Sequence, residues 1–188
     1  MRRERNFIGP AGMGGTVGLW GASSLIKSIQ QGTLAFAGGA SATATIAAVD
    51  VANAVLVLNN HLVDFSTGNT SFNVYLTFTN TTTITATRVG IPNTETAACV
   101  VIEFMPGVIR SVQRGTIFLS GVASNTATIT VVNTAKSFVN YLGMNTNVSD
   151  DQTLPIVSLT NGTTVTATRE DAAASGGTTT SYQVVEFF

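Results

Sequence analysis

The chain has 188 residues, 44% of them hydrophobic and only 10% charged, with a net charge of −1. That length holds one large domain or two small ones of about 80–90 residues, and the charged fraction falls far below the roughly 25% of ordinary soluble domains. The balance excludes a broad basic nucleic-acid surface, since the one dense basic cluster is Arg2, Arg3 and Arg5; the lone Cys99 excludes an intrachain disulfide.

Residues 1–26 read as an extended N-terminal arm. The stretch FIGPAGMGGTVGLWGASS is glycine-rich and has no sustained periodicity, so it forms no compact element alone. Its spaced apolar residues Phe7, Ile8, Met13, Leu19 and Trp20 suit docking onto a partner subunit. No apolar core of about 7–15 residues follows the basic start, so no secretory signal is expected. No run approaches about 18 apolar residues, so no membrane span is expected either.

Beyond the arm every segment reads as strand. Alternating and β-branched runs place strands near 29–37, 41–49, 54–60, 71–79, 82–89 and 96–104. A Pro-Gly joint at Met105–Val108 follows, then strands near 112–119, 124–132, 137–143, 153–160, 163–170 and 180–188. Gly38-Gly39, Asn80-Thr81 and Asn161-Gly162 mark turns, Asn161-Gly162 being the best candidate for a tight hairpin. Val51–Leu56 and Thr134–Val139 have room for a short helical turn; no long helix is expected.

The two strand sets are copies. SIQQGT at 28–33 returns as SVQRGT at 111–116, TATI at 43–46 as TATI at 126–129, and VDVANAV at 49–55 as VNTAKSF at 132–138. LTFTNTTTITATR at 76–88 returns as VSLTNGTTVTATR at 157–169, and VIEF at 101–104 as VVEF at 184–187. The spacing is 83 residues except at 76–88, where it is 81, so the slips fall in loops around 59–71 and 90–97. The expectation is an all-β chain with two tandem β-sandwich or jelly-roll-like repeats, residues 27–105 and 109–188.

Residues suited to catalysis are sparse. His61 is the only histidine, and nothing like G-x-S-x-G accompanies it, so an exposed loop residue is the reading. One His and one Cys do not make a zinc site, and GPAGMGG lacks the GK[ST] of a phosphate loop. Asp150-Asp151 reads as a solvated turn rather than a cation site. No catalytic, metal or cofactor residue is assigned. Arg88 and Arg169 occupy one repeat position and Glu103 and Glu186 another, which points to a structural Arg–Glu pair in each copy or an ion pair between subunits. Copy one has Gln31 and Asn53 where copy two has Arg114 and Lys136, so basic side chains there are not required by the fold. The N-x-S/T matches at Asn69, Asn80, Asn147 and Asn161 are expected by chance in so Thr-rich a chain.

The ordered set S-[IV]-Q-[QR]-G-T, A-T-I, V-[DN]-x-A-[NK], T-x-T-[IV]-T-A-T-R and V-V-E-F resembles a repeat of tailed-phage and prophage structural proteins, twice over, leaving out only residues 1–26. The resemblance implies a virion component of fibre, tail-associated or head-decoration kind, made in the host cytoplasm. It implies other capsid or tail subunits as partners and a homo-oligomer, a trimer being the commonest symmetry; the charge balance and the missing motifs, for their part, point to no nucleic acid and no cofactor. A tail module that binds a receptor or carbohydrate through loops 59–71 and 143–153 is the first alternative; a glycan depolymerase using Glu103 or Glu186 is the second.

Overall fold

The computed structural model describes residues 24–63, 74–89, 95–146, 154–170 and 177–188. The chain is all-β. Copy one holds β1 (Ile26–Phe36), β2 (Ser41–Thr45), β3 (Ala54–Val63), β4 (Val74–Asn80), β5 (Thr83–Arg88) and β6 (Glu95–Phe104). Copy two holds β7 (Ile109–Ser120), β8 (Ser124–Thr128), β9 (Ser137–Thr146), β10 (Ile156–Asn161), β11 (Thr164–Thr168) and β12 (Gly177–Phe187). A short 3-10 turn at Thr134–Lys136 precedes β9. Among the described residues no helix is long and apolar enough to cross a membrane.

Strand order repeats with the sequence. Copy one forms β1-β6-β3 and β2-β5-β4; copy two forms β7-β12-β9 and β8-β11-β10, with every described pairing antiparallel. Alternation does the sorting: inward positions are mostly apolar, while outward ones are Thr or Ser along β2, β5, β8 and β11 and largely apolar along β6. Leu34, Ala44, Leu56, Leu76, Ile84, Ala97 and Val101 meet in one core, drawn from both sheets of copy one. Ile117, Leu119, Val165, Ala167, Tyr182 and Val184 do the same in copy two.

The copies are not separate bodies. Tyr75 of β4 pairs with Gly143 of β9, which fuses β2-β5-β4 and β9-β12-β7 into one six-stranded sheet. Leu142 of copy two is buried within the core of copy one. A third cluster, Val55, Ile109 and Val185 flanked by Phe104 and Phe187, closes the contact near the joint. The joint is a tight turn, with the Val108 N–H donating to the Met105 carbonyl at 3.3 Å.

The hairpin expected at Asn161-Gly162 forms, joining β10 to β11 with Asn161 opposite Thr164; three other expectations need correction. The hairpin is not closed by the mirror-image turn, which demands positive φ at both central residues, since neither Asn161 nor Gly162 has it. Instead the Asn161 side chain accepts from the Thr163 N–H at 2.9 Å and from its hydroxyl at 3.0 Å. Asn80 does the same for Thr82 at 2.8 and 3.0 Å. These two N-x-T matches are therefore a repeated Asx turn rather than chance, while Asn69 and Asn147 lie outside the described residues. β2 and β8 also stop earlier than expected, at Thr45 and Thr128. The following segments leave the ladder because Gln30 holds both backbone groups of Ala47 (2.7 and 3.2 Å), and Gln113 those of Thr130 (2.6 and 2.9 Å). Third, His61 sits within β3 rather than in a loop.

Candidate functional site: the seam between the copies

The residues singled out by the repeat hold each copy together, but in partnerships other than those expected. Glu103 does not meet Arg88. Its carboxylate takes Lys27 Nζ at 2.8 Å, the Asp50 N–H at 2.9 Å and the Ser28 hydroxyl at 3.2 Å. Glu186 repeats this with the Asn133 N–H at 2.9 Å, the Ser111 hydroxyl at 3.2 Å and Arg110 Nε at 3.8 Å. Asp50 and Asn133 in turn accept from the N–H two residues on, both at 3.0 Å. The V-[DN]-x-A and V-V-E-F motifs are thus two halves of one device: the Glu fastens the turn that launches the third strand of its copy. Burial alone would raise the Glu103 carboxyl; the hydrogen bonds from Asp50, Lys27 and Ser28 outweigh it and hold the group below its ordinary value.

Arg88 lies at the other end of the strands. Its Nη1 is 3.0 Å from Glu95, both side chains buried, and its Nε donates to the Gly39 carbonyl at 3.0 Å while the guanidinium stacks on Phe36. Arg169 likewise donates from Nε to the Val122 carbonyl at 3.0 Å, and its Nη1 lies 3.4 Å from Thr178, which replaces Glu95 in copy two. Arg and Glu of each copy stand at opposite ends of antiparallel strands, so equal repeat positions did not mean contact. Phe7, Ile8, Leu19 and Trp20 lie outside the described residues, as do Asp150 and Asp151. Of the loop stretch 59–71 the structure describes only the end of β3, and of 143–153 the end of β9.

The polar chemistry left over gathers at the seam. β3 pairs with β6 on one side only, which leaves the N–H and C=O of Leu56 pointing outward, the usual liability of an edge strand. Copy two answers with one row of side chains across three strands: Arg114 on β7, Gln183 on β12 and Asn140 on β9, in register. The Gln183 side chain accepts from the Leu56 N–H at 3.3 Å and donates to the Leu56 carbonyl. Asn140 donates to the same carbonyl at 2.9 Å. Arg114 donates to the carbonyls of Val51 at 3.0 Å and Ala54 at 2.6 Å, and its guanidinium lies 4.7 Å over the Phe78 ring. Burial lowers the Arg114 pKa to about 10, so it is cationic at neutral pH. One row below, Ser181 donates to the Leu76 carbonyl at 3.1 Å. Gly143 makes the closest approach: at φ +100 it lets β9 reach β4, where a Cβ would strike the Val74 carbonyl and lie 2.9 Å from Tyr75 Cα.

The equivalent positions in copy one are Gln31, Val100, Val57 and Ala98. From the sequence alone the change from Gln31 to Arg114 reads as indifferent to the fold; in the structure Arg114 is part of the grip of one copy on the other. Polar residues at 140, 181 and 183, against apolar ones at the matching places, were the signal. A cleft of about 230 Å³ runs along the seam beside Phe78 and Arg114, smaller than the ~300–1,000 Å³ of ligand pockets. The seam is chemically a protein–protein contact, made of side chains capping backbone and of desolvated apolar residues. Comparison with family models, curated proteins and solved structures finds no match.

Proposed function

We propose that this chain is a non-enzymatic structural protein of a phage particle. It is built of two β-sandwich units and an anchoring arm, and it decorates or extends the capsid or tail as a homo-oligomer. The observation that carries the reading is the seam. The chain covers one strand edge with a face whose Arg114, Asn140, Ser181 and Gln183 side chains hydrogen-bond backbone groups of copy one, the means by which subunits cover each other's edges. Glu103 and Glu186, the carboxylates a hydrolase would need, are committed to fastening turns, which supports a role without turnover. The described start of the chain and its end lie together at the joint, since the Met105 N–H donates to the Leu25 carbonyl at 2.9 Å and the Phe188 N–H to the Val108 carbonyl at 3.3 Å. An arm leaving there anchors the molecule by one pole.

Mass spectrometry of density-banded phage particles from the host that carries the gene tests this reading. The chain is expected among the stoichiometric virion proteins, and a full-length chain found only in the unassembled lysate overturns the proposal. Deleting residues 1–24 is expected to abolish incorporation; unchanged incorporation removes the anchoring role from the arm.

A further inference from the structure

Duplication gives each copy the same two surfaces. One is an edge, β3–β4 in copy one and β9–β10 in copy two. The other is an outer sheet face, β1-β6-β3 in copy one and β7-β12-β9 in copy two. Within the chain, the edge of copy one sits on the face of copy two. Among the described residues the face of copy one remains over, and so does the edge of copy two along β10 and the Ser137–Tyr141 half of β9, the other half being joined to β4 at Gly143.

Exposure follows that division. β12 is buried on both faces from Thr180 to Glu186, whereas β6 alternates buried with half-buried residues along its whole length. Phe138 on the leftover edge is 41% exposed where its counterpart Val55 is 4% exposed. Leu62 on the leftover face is 72% exposed where its counterpart Asn145 is 6% exposed. Ile29 on that face and Ile156 on that edge are 57% and 75% exposed. The face itself is uncharged: its rows are Ile29–Ile102, Gln31–Val100–Val57 and Thr33–Ala98, the first row ending on Val55, which is already buried against Ile109 and Val185 of copy two. An apolar sheet face and a bare strand edge are each costly to leave in water.

We propose that chains associate head to tail by repeating the internal seam, the β9–β10 edge of one chain seating on the outer β1-β6-β3 face of the next. The occupant of each leftover surface is a second copy of this chain, which gives the homo-oligomer of the proposed function its geometry and rests on that reading. The contact is heterologous, so it closes into a ring or runs on as a filament. It is weaker than the internal seam. Val57 and Val100 stand where Asn140 and Gln183 cap the edge in copy two, so the outward backbone groups of Val139 receive no amide from that row.

Sedimentation of the full chain across a concentration series tests the idea. Oligomers that grow with concentration are expected, and a monomer at about 100 µM overturns it. Ile29→Glu spoils only the face and Ile156→Glu only the edge, both at exposed positions, with melting temperatures like the parent's as the folding control. Each variant alone is expected to be monomeric, and the equimolar mixture to form a dimer that grows no further. Association that survives both changes, or a mixture that stays monomeric, refutes the head-to-tail geometry. Val57→Asn with Val100→Gln restores the polar row and is expected to tighten association roughly tenfold; no tightening overturns the equivalence of the two contacts. Particle composition reads the virion assignment separately, so failure here is distinguishable from failure there.

Discussion

Gln183 is joined to Leu56 as one strand is joined to the next, a side-chain amide standing in for the peptide of a missing neighbour. The pair spans 127 residues of sequence and is fully buried, so it ties the last strand of the chain to the third. It also explains why β3 needs no further strand on that side.

Replacing Gln183 by Val, the residue copy one carries at the matching place, leaves the Leu56 N–H buried without its acceptor. The loss is expected to be about 2 kcal/mol by urea unfolding. Val100→Gln, the reverse change on the half-exposed face, is expected to stay within about 0.5 kcal/mol. Equal effects from the two changes would show that the seam is not where the amide acts.

Gly143→Ala adds a Cβ at positive φ against the Val74 carbonyl. A destabilisation of at least about 2 kcal/mol is expected, the sum of backbone strain and overpacking. Thermal unfolding followed by circular dichroism measures it, and a melting temperature equal to the parent's would mean that β4 and β9 do not approach as described.

Glu95→Ala takes the Glu95 carboxylate away from the buried Arg88 guanidinium. Removing one partner of such a pair costs about 3–5 kcal/mol, and chemical denaturation of the variant reads it directly. A cost under about 1 kcal/mol would place the Arg88 charge in water instead.

Acid should loosen the fold through Glu103. Its folded pKa is depressed, so its contribution is complete above the ordinary carboxyl value of 4.5 and disappears as pH falls through the lower folded value. Glu103→Gln should therefore lower stability at neutral pH and flatten the acid limb of the stability profile. A variant profile parallel to the parent's across that limb counts against the assignment.

The strand positions were legible because alternation and duplication are local signals. TTITATR and TTVTATR read as strands from β-branching alone, and the repeat located the joint within residues 105–108. Pairing was less legible. Arg88 and Glu103 lie close in sequence pattern, yet antiparallel strands carry them to opposite ends, and Glu95, which sits opposite Arg88 across the end of the strands, belongs to no repeated motif. The seam was hidden for the opposite reason: its residues are the ones that break the repeat, and attention to what the copies share passes over what makes them different. Gln30 and Gln113 were visible as motif letters, but a side chain that mimics a peptide has no periodicity to betray it.

The meeting of Leu25, Met105, Val108 and Phe188 at one pole has a mechanical consequence. Force applied between Leu25 and Phe188 enters β1 and β12 at the same end of their ladders. It draws the strands apart one rung at a time, as a zipper opens, rather than shearing all rungs together. Stretched between those two residues, this molecule yields at low load, whereas a pull transmitted from the far ends of β3 and β9 to that pole runs along the strands and meets the full resistance of the sheets.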